Sequence, residues 1–221
     1  MNPIDEASIQ RIYEWTDEFD IPDLKWVEHD SYKKGGYFKG VPRDKDKLLE
    51  LKTLNLLGYQ LPYLPKEIGC LTGLRRLHLS GNKLTELPVE LANLVDLEEL
   101  YVPGNHLNTF SKELTDFPKL KVLILQENQL TSIPEEIGQL TSLKTLELGG
   151  NQLASLPKEI GNLVNLNILT IWKNRLTALP VEIENLKNLT EFDFMYNKIA
   201  LSQENVQWLD YLIQSECELN F

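Results

Sequence analysis

Three histidines and two cysteines are the side chains of this sequence most suited to acid–base, nucleophilic or metal chemistry. His29, His78 and His106 lie in different segments, and none is accompanied by a serine or cysteine in a G-x-S-x-G or similar nucleophile turn. His78 and His106 could form a metal pair, but no cluster of a second ligand type stands beside them. Cys70 and Cys217 are far apart, which favours two reduced thiols. We therefore predict no catalytic residue, no metal ligand and no cofactor, in a protein that is not an enzyme.

Charge and hydropathy restrict the partners that we expect for the chain. Its 22 basic and 33 acidic residues give a formal net charge of −11, which would repel a phosphate backbone, and the lysines form no block. No apolar run approaches the ~18 residues of a membrane span, and residues 1–6 lack the features of a secretory signal. We expect no nucleic-acid partner, no membrane insertion and a cytoplasmic location, although export without a cleavable apolar signal would leave the same sequence.

A repeat of constant length dominates the sequence. Each unit follows L-x-x-L-x-L-x-x-N-x-L-x-x-L-P-x-x-I-x-x-L. The first leucine of the unit recurs at a step of 23 residues, at Leu51, Leu74, Leu97, Leu120, Leu143, Leu166 and Leu189. From residue 51 to about residue 200 the sequence resembles the leucine-rich-repeat family, and its L-P-x-E-I units are similar to those of the intracellular Ras-group-like and bacterial branches.

The spacing within a unit predicts its local structure. Leucines at positions four and six flank a residue that points the other way, which is the period of a short strand. Stacked units would join these strands into a parallel sheet and their leucines into one core. The proline after position fourteen indicates a short helical turn on the opposite, bulkier side. The predicted fold is α/β: a curved leucine-rich-repeat solenoid with a parallel β-sheet on the concave face, short helical or 3-10 turns on the convex face, and helical caps at both ends.

An asparagine occupies position nine of six units. A polar side chain among leucines must find partners or cost about 1–3 kcal/mol. In the leucine-rich-repeat family this asparagine bonds backbone groups of its own turn and of the next unit, so the resemblance implies a structural asparagine ladder. The first unit has Tyr59 instead, as we expect of an end repeat. The predicted ladder consists of Asn82, Asn105, Asn128, Asn151, Asn174 and Asn197.

The flanks of the repeats divide the chain into three predicted segments. Residues 1–47 form an N-terminal cap of helix plus loop, residues 48–201 hold six full repeats and one closing unit, and residues 202–221 form a C-terminal helical cap. Ser202 is the predicted N-cap of the last helix, whose apolar face is set by Val206, Leu209, Leu212 and Ile213. The last two residues are either a frayed end or a recognition tail.

The N-terminal flank contains a predicted amphipathic helix over residues 4–19 and a loop over residues 23–37. Acids predominate in residues 1–32 and bases in residues 33–47. We expect the two halves of this cap to attract one another, and the alternative is an arm that docks a separate partner.

Positions three, five and seven of each unit should face the concave side, with position eight at its border. Two apolar groups occur there, around Tyr101 and around Trp172, and acids surround them. Tyr and Trp often dominate interface energies, although β-branched and aromatic residues also simply suit a strand. The predicted partner-binding residues of the concave face are Arg76, His78, Glu99, Tyr101, Val122, Ile124, Glu147, Ile168, Thr170, Trp172, Glu191, Asp193, Met195 and Tyr196.

The sequence therefore predicts a non-catalytic protein–protein interaction module, expected to be monomeric. Its protein partner should carry basic residues around an apolar centre. One alternative is a structural or self-assembling scaffold whose edges or N-terminal arm make self-contacts. Another is a bacterial host-interaction, effector-like protein, a role that occurs among similar proteins. Because a repeat frame stays fixed while exposed positions vary, the fold indicates a binding mode and not a ligand.

Overall fold

The computed structural model of the chain describes residues 5–28 and 36–221. Strands β1 (Lys25–Glu28) and β2 (Gly36–Lys39) form an antiparallel N-terminal hairpin. Eight further strands lie side by side in chain order in one parallel sheet. These are β3 (Thr53–Asn55), β4 (Arg76–His78), β5 (Glu99–Tyr101), β6 (Val122–Ile124), β7 (Thr145–Glu147), β8 (Ile168–Thr170), β9 (Glu191–Asp193) and β10 (Glu218–Asn220).

The leucine pattern determines how these strands stack. Each repeat strand has three residues, and its middle residue is fully buried, as for Leu77, Leu100 and Leu123. The pairing register places equivalent residues side by side, so that Leu77 lies next to Leu100 and Leu100 next to Leu123. Because every unit contributes leucines at the same height, the buried side chains form one continuous core. The predicted solenoid is confirmed.

Six 3-10 helices return the chain along the convex side. Pro precedes five of them with φ close to −65°, as at Pro157 (φ −66°), because the pyrrolidine ring restricts this angle. The third helix follows Ser111 and is one residue shorter than the others. A Cβ on Gly161 would lie 2.2 Å from the Glu182 carbonyl oxygen of the next unit, so glycine permits the close stacking of these segments. The helices are Lys66–Cys70, Val89–Asn93, Lys112–Thr115, Glu135–Gln139, Lys158–Asn162 and Val181–Asn185.

The position-nine asparagines join neighbouring units through their side-chain amides. Asn151 accepts the Leu130 N–H at 3.0 Å and donates to the Leu125 and Leu148 carbonyl oxygens, each at 2.9 Å. The other five asparagines of the ladder repeat this geometry, as Asn82 illustrates. The expectation that the bonds reach the next unit is wrong, because Leu130 and Leu125 belong to the preceding unit. That direction explains why the first repeat, which has no preceding repeat, has no asparagine at this position.

The N-terminal flank consists of helix α1 (Glu6–Glu18), the β1–β2 hairpin and helix α2 (Lys45–Leu49). The prediction of a loop over residues 23–37 is wrong, since Lys25 pairs with Lys39 in an antiparallel hairpin. The two strand segments contain aromatic and β-branched residues, which favour strands. A bridge from Gly40 to Asn55 joins the hairpin to the edge of β3.

Opposite charges within the N-terminal flank meet in the structure. Arg43 lies 2.8 Å from the Asp17 carboxylate and donates to the Ile21 carbonyl oxygen at 3.0 Å. Lys45 forms an ion pair with Glu6 near the start of α1. These contacts tie the basic second half of the flank to the acidic helix, and they support a capping role for both.

The C-terminal flank closes the core with helix α3 (Gln203–Gln214) and strand β10. Ser202 begins α3 with a capping box. The helix turns Trp208 and Leu212 inward and leaves Val206 and Ile213 exposed, so the predicted apolar face is partly wrong.

A purely helical C-terminal cap is also a wrong prediction, because the chain continues into β10 beside β9. The last residues are neither a frayed end nor a separate tail. Phe221 stacks on Phe194 with ring centroids 6.0 Å apart. The added strand pairs an edge of β9 that would otherwise have unsatisfied backbone groups.

Candidate functional site

The predicted binding residues of the strands lie in two adjacent rows on the sheet face opposite the core, which we call the concave face. Register places Arg76, Glu99 and Val122 side by side at position three. At position five, His78, Tyr101 and Ile124 are neighbours in the same way. Strand β10 extends both rows with two residues that the repeat pattern could not reveal, Glu218 next to Glu191 and Asn220 next to Asp193.

The N-terminal half of the concave face, carried by β4 and β5, is a closed polar network. Arg76 lies 2.8 Å from the Glu99 carboxylate, which also accepts the Tyr101 hydroxyl at 2.9 Å. The His78 ring stacks on Tyr101 with centroids 4.2 Å apart and planes 6° apart. Burial, together with the bond to Glu99, raises the pKa of Tyr101 to about 12, and burial lowers the pKa of His78. The charged groups of this half are already paired.

The centre of the concave face is more enclosed than the sequence suggested. Ile124 is 8% exposed and Thr170 is 6% exposed, so an open apolar patch around Tyr101, Val122 and Ile124 is not found. Ile124 lies in register between the longer Tyr101 and Glu147, which flank it on the neighbouring strands. Val122 and Tyr101 are half-buried. These side chains therefore form the base of the concave face and do not protrude from it.

Trp172 packs against the backbone of the preceding unit, just beyond the end of β8. A Cβ on Gly149 would lie 2.1 Å from the indole Nε1 and 2.4 Å from Cε2. A Cβ on Gly150 would lie 3.3 Å from the ring atom Cη2. The pair of glycines therefore makes the room that the ring occupies. Trp172 is half-buried, which fixes the ring while leaving part of it accessible.

The C-terminal half of the concave face, from the end of β6 through β10, is acidic. Burial raises the pKa of Glu147, the negative charge of Glu191 raises it further, and a hydrogen bond from the Gln126 amide opposes the rise. Asp193 accepts the Met195 N–H at 3.1 Å. Each of these carboxylates is only partly exposed, so part of its hydration is lost.

Position eight, at the rim of this face, has a left-handed backbone in every repeat. Four repeats place glycine there, which adopts positive φ without strain. The other three place a side chain at a cost of about 1 kcal/mol each. They are Glu127 (φ 53°), Lys173 (φ 50°) and Tyr196 (φ 57°). Tyr196 is 75% exposed. The non-glycine residues are confined to the units around Trp172. In these units a side chain is present at the rim although the positive φ of this position favours glycine.

An open depression of about 490 Å³ lies along the same rim. Its lining includes Trp172, Lys173, His106, Gly104 and Gly150. His106 contacts the Gln129 amide at 3.4 Å. The other predicted apolar contacts, Ile168 in the unit of Trp172 and Met195 in the following unit, are half-buried.

The two histidines that the structure describes, His78 and His106, lie in different surroundings. His78 stacks on a tyrosine in β5, whereas His106 lies in the rim depression. His29 lies outside the described residues. Within residues 5–28 and 36–221, no group of three or more His, Cys, Asp or Glu side chains is arranged to hold a metal ion. Over the same residues, no helix is long and apolar enough to cross a membrane.

Comparison with known families assigns the chain. A model described as a leucine-rich repeat region matches residues 104–214, and a second leucine-rich-repeat model matches residues 73–94. The chain therefore belongs to the leucine-rich-repeat family, which is generally a non-catalytic interaction fold. A search of the curated proteins found no match.

Solved structures from bacteria and a plant are similar to the chain. A leucine-rich-repeat protein of Leptospira interrogans is 38% identical, with a TM-score of 0.62 over 79% of this chain and 50% of that one. An internalin of Listeria monocytogenes is 27% identical, with a TM-score of 0.67 over 78% and 48%. The ectodomain of the Arabidopsis thaliana membrane receptor kinase GASSHO1/SCHENGEN3 is 30% identical, with a TM-score of 0.64 over 69% and 19%. The chain thus spans about half the length of the bacterial proteins.

Proposed function

We propose that the chain is a non-catalytic module that binds a protein partner on its concave face. The observation that carries this proposal is Trp172, a large aromatic side chain that packs against two glycines. It lies on a rim where three non-glycine residues have a left-handed backbone conformation. Rigid aromatic residues beside polar groups are typical of the positions that contribute most to binding energy. The Arabidopsis ectodomain was solved in complex with CASPARIAN STRIP INTEGRITY FACTOR 2, which is consistent with a binding role for this fold.

The predicted concave residues divide between two tasks under this proposal. Ile124 and Thr170, which are buried, maintain the floor of the sheet. Tyr101, Trp172 and Tyr196 provide the aromatic contacts above it. The half-buried Val122, Ile168 and Met195 extend the apolar surface between them. The mixture of an apolar centre with acids at its border fits a protein partner that has basic residues around an apolar centre.

A selection from a random peptide library displayed on phage tests this function. The parent protein should enrich specific peptides, and the double variant Tyr101→Ala/Trp172→Ala should bind them at least tenfold more weakly, because it removes both aromatic contacts. Val95→Ala/Val164→Ala is the matched control, since both valines are exposed and lie in turns outside the strands of the sheet. Equal binding of the selected peptides by the aromatic double variant and the control would contradict a concave site. Circular dichroism and urea unfolding establish that both variants remain folded.

A self-assembling scaffold is the second candidate function. It is favoured by the outer edge of β10, beside which Phe221 is 79% exposed. Edge strands with exposed apolar residues can pair with other chains. Light scattering over a range of protein concentrations discriminates the two functions, because a monomeric binding module keeps one mass whereas the mass of a scaffold grows with concentration.

A role in bacterial host interaction is a further alternative. It rests on the similarity to the Leptospira and Listeria proteins and is an analogy of fold.

A further inference from the structure

The acids of the concave face fall into two groups that differ in how their charge is compensated. In the N-terminal half, Glu99 is paired with Arg76. Just beside it, Glu98 contacts both Arg75 and Lys121. In the C-terminal half, the acids form no ion pair with any residue that the structure describes. These unpaired acids are Glu127, Glu147, Glu191, Asp193 and Glu218.

Among these acids, Glu147 is also poorly placed for water to stabilise its charge. Glu147 lies between Ile124 and Thr170 in the sheet and is half-buried. Burial and the nearby Glu191 both raise its pKa, so the ionised form is held at a cost. A cation brought by a partner would offset that cost, whereas the N-terminal half has no comparable unpaired charge to offer.

Trp172 lies next to this acidic surface. A Cβ on Gly150 would be 3.3 Å from the Cγ of Glu127 and 3.3 Å from the indole, so the carboxylate chain and the ring border the same backbone. Tryptophan is the best aromatic acceptor of a cationic side chain. Among the described residues the indole N–H donates no hydrogen bond, since Trp172 takes part through its carbonyl oxygen alone. The ring can therefore contact a cation and donate to a backbone carbonyl.

Resting on the proposed function, we propose that the concave face engages its partner through the C-terminal half, taking an arginine or lysine side chain of an extended segment onto Trp172. Glu127, which borders the same backbone as the ring, and Glu147, which belongs to the same unit as Gly149 and Gly150, neutralise the bound cation. The charges of the N-terminal half, which are already paired, contribute little affinity.

Calorimetric titration with one of the selected peptides tests this assignment. Glu147→Gln should weaken binding about tenfold, because it removes a partly desolvated charge pair. The matched control, Glu184→Gln, makes the same charge change in the convex helix Val181–Asn185, away from the concave face, and should alter affinity by about twofold or less. Replacing the basic residue of the peptide with neutral citrulline should weaken binding to the parent about tenfold and cause no further loss with Glu147→Gln, since the two changes remove one interaction.

Three results would overturn the assignment. One is selected peptides that contain no arginine or lysine, and another is a Glu147→Gln effect no larger than that of Glu184→Gln. The third is that Glu147→Gln and the citrulline replacement weaken binding independently, so that their losses add. If such peptides still fail to bind Tyr101→Ala/Trp172→Ala, the concave site stands and the cation assignment alone is wrong. If the double variant binds them as the parent does, the proposed function fails first and the assignment fails with it.

Discussion

Replacing Asn151 with alanine should lower the free energy of unfolding by about 3 kcal/mol. The side chain is buried and makes three bonds of 2.9–3.0 Å with backbone groups of two units. Without it, the buried Leu130 N–H has no partner, and an unsatisfied buried polar group costs about 1–3 kcal/mol. The Leu125 and Leu148 carbonyl oxygens each lose one donor and keep another from the neighbouring ladder asparagines. Urea unfolding followed by circular dichroism measures the difference.

Gln152→Ala is the control for this substitution. Gln152 follows Asn151 directly, and its side chain makes no hydrogen bond with the described residues, so the variant should lose about 0.5 kcal/mol or less. The ladder would have no structural importance if Asn151→Ala were as stable as Gln152→Ala.

Trp208→Ala should destabilise the closing end of the solenoid by about 3–5 kcal/mol, the usual range for a large aromatic residue removed from a core. Trp208 is 3% exposed, and its ring centroid lies 5.2 Å from that of Phe192. Its indole N–H also donates to the Leu186 carbonyl oxygen at 3.4 Å. The substitution opens a cavity between α3 and the last repeat, so the amides of β9 and β10 should exchange faster with deuterium than those of β5.

Val206→Ala is the matched substitution in the same helix. Val206 is 44% exposed, and alanine favours a helix more than valine does, so stability should change by about 0.5 kcal/mol or less. Equal free energies of unfolding for Trp208→Ala and Val206→Ala would show that the packing of α3 does not stabilise the last repeat.

The repeat frame was predictable because its information is local and periodic. The 23-residue step of Leu51, Leu74 and the later leucines specifies which residues point inward and which units are neighbours. Pro157 and its equivalents indicate where each convex turn begins. The asparagine ladder was predictable as a set, but its direction toward the preceding unit depends on stacking geometry that one unit does not contain.

The ends of the chain were less predictable because they occur once and have no periodicity. The hairpin β1–β2 and the strand β10 depend on pairing with distant residues, such as Glu218 with Glu191. A three-residue strand after a helix carries no distinctive sequence pattern. The unpaired edge that β10 covers becomes visible only when the sheet is assembled.

The membership of the concave face followed from the repeat, whereas the accessibility of its side chains did not. Position five includes His78, Ile124 and Thr170, and the structure encloses the last two between longer neighbours. The contrast between the paired Glu99 and the unpaired Glu147 also depends on contacts across strands. One signal could have revealed the place of Trp172, namely the two consecutive glycines of the preceding unit.

Fluorine NMR of protein labelled with 5-fluorotryptophan gives the most direct test of the claim that the concave face around Trp172 binds a protein segment. The chain has four tryptophans, and Trp172→Phe assigns the resonance of interest. Titration with a selected peptide should shift the Trp172 resonance and leave that of Trp208, buried under α3, in place. A bound peptide that shifts Trp15 of the N-terminal cap, or no tryptophan at all, would place the binding site elsewhere and contradict the claim.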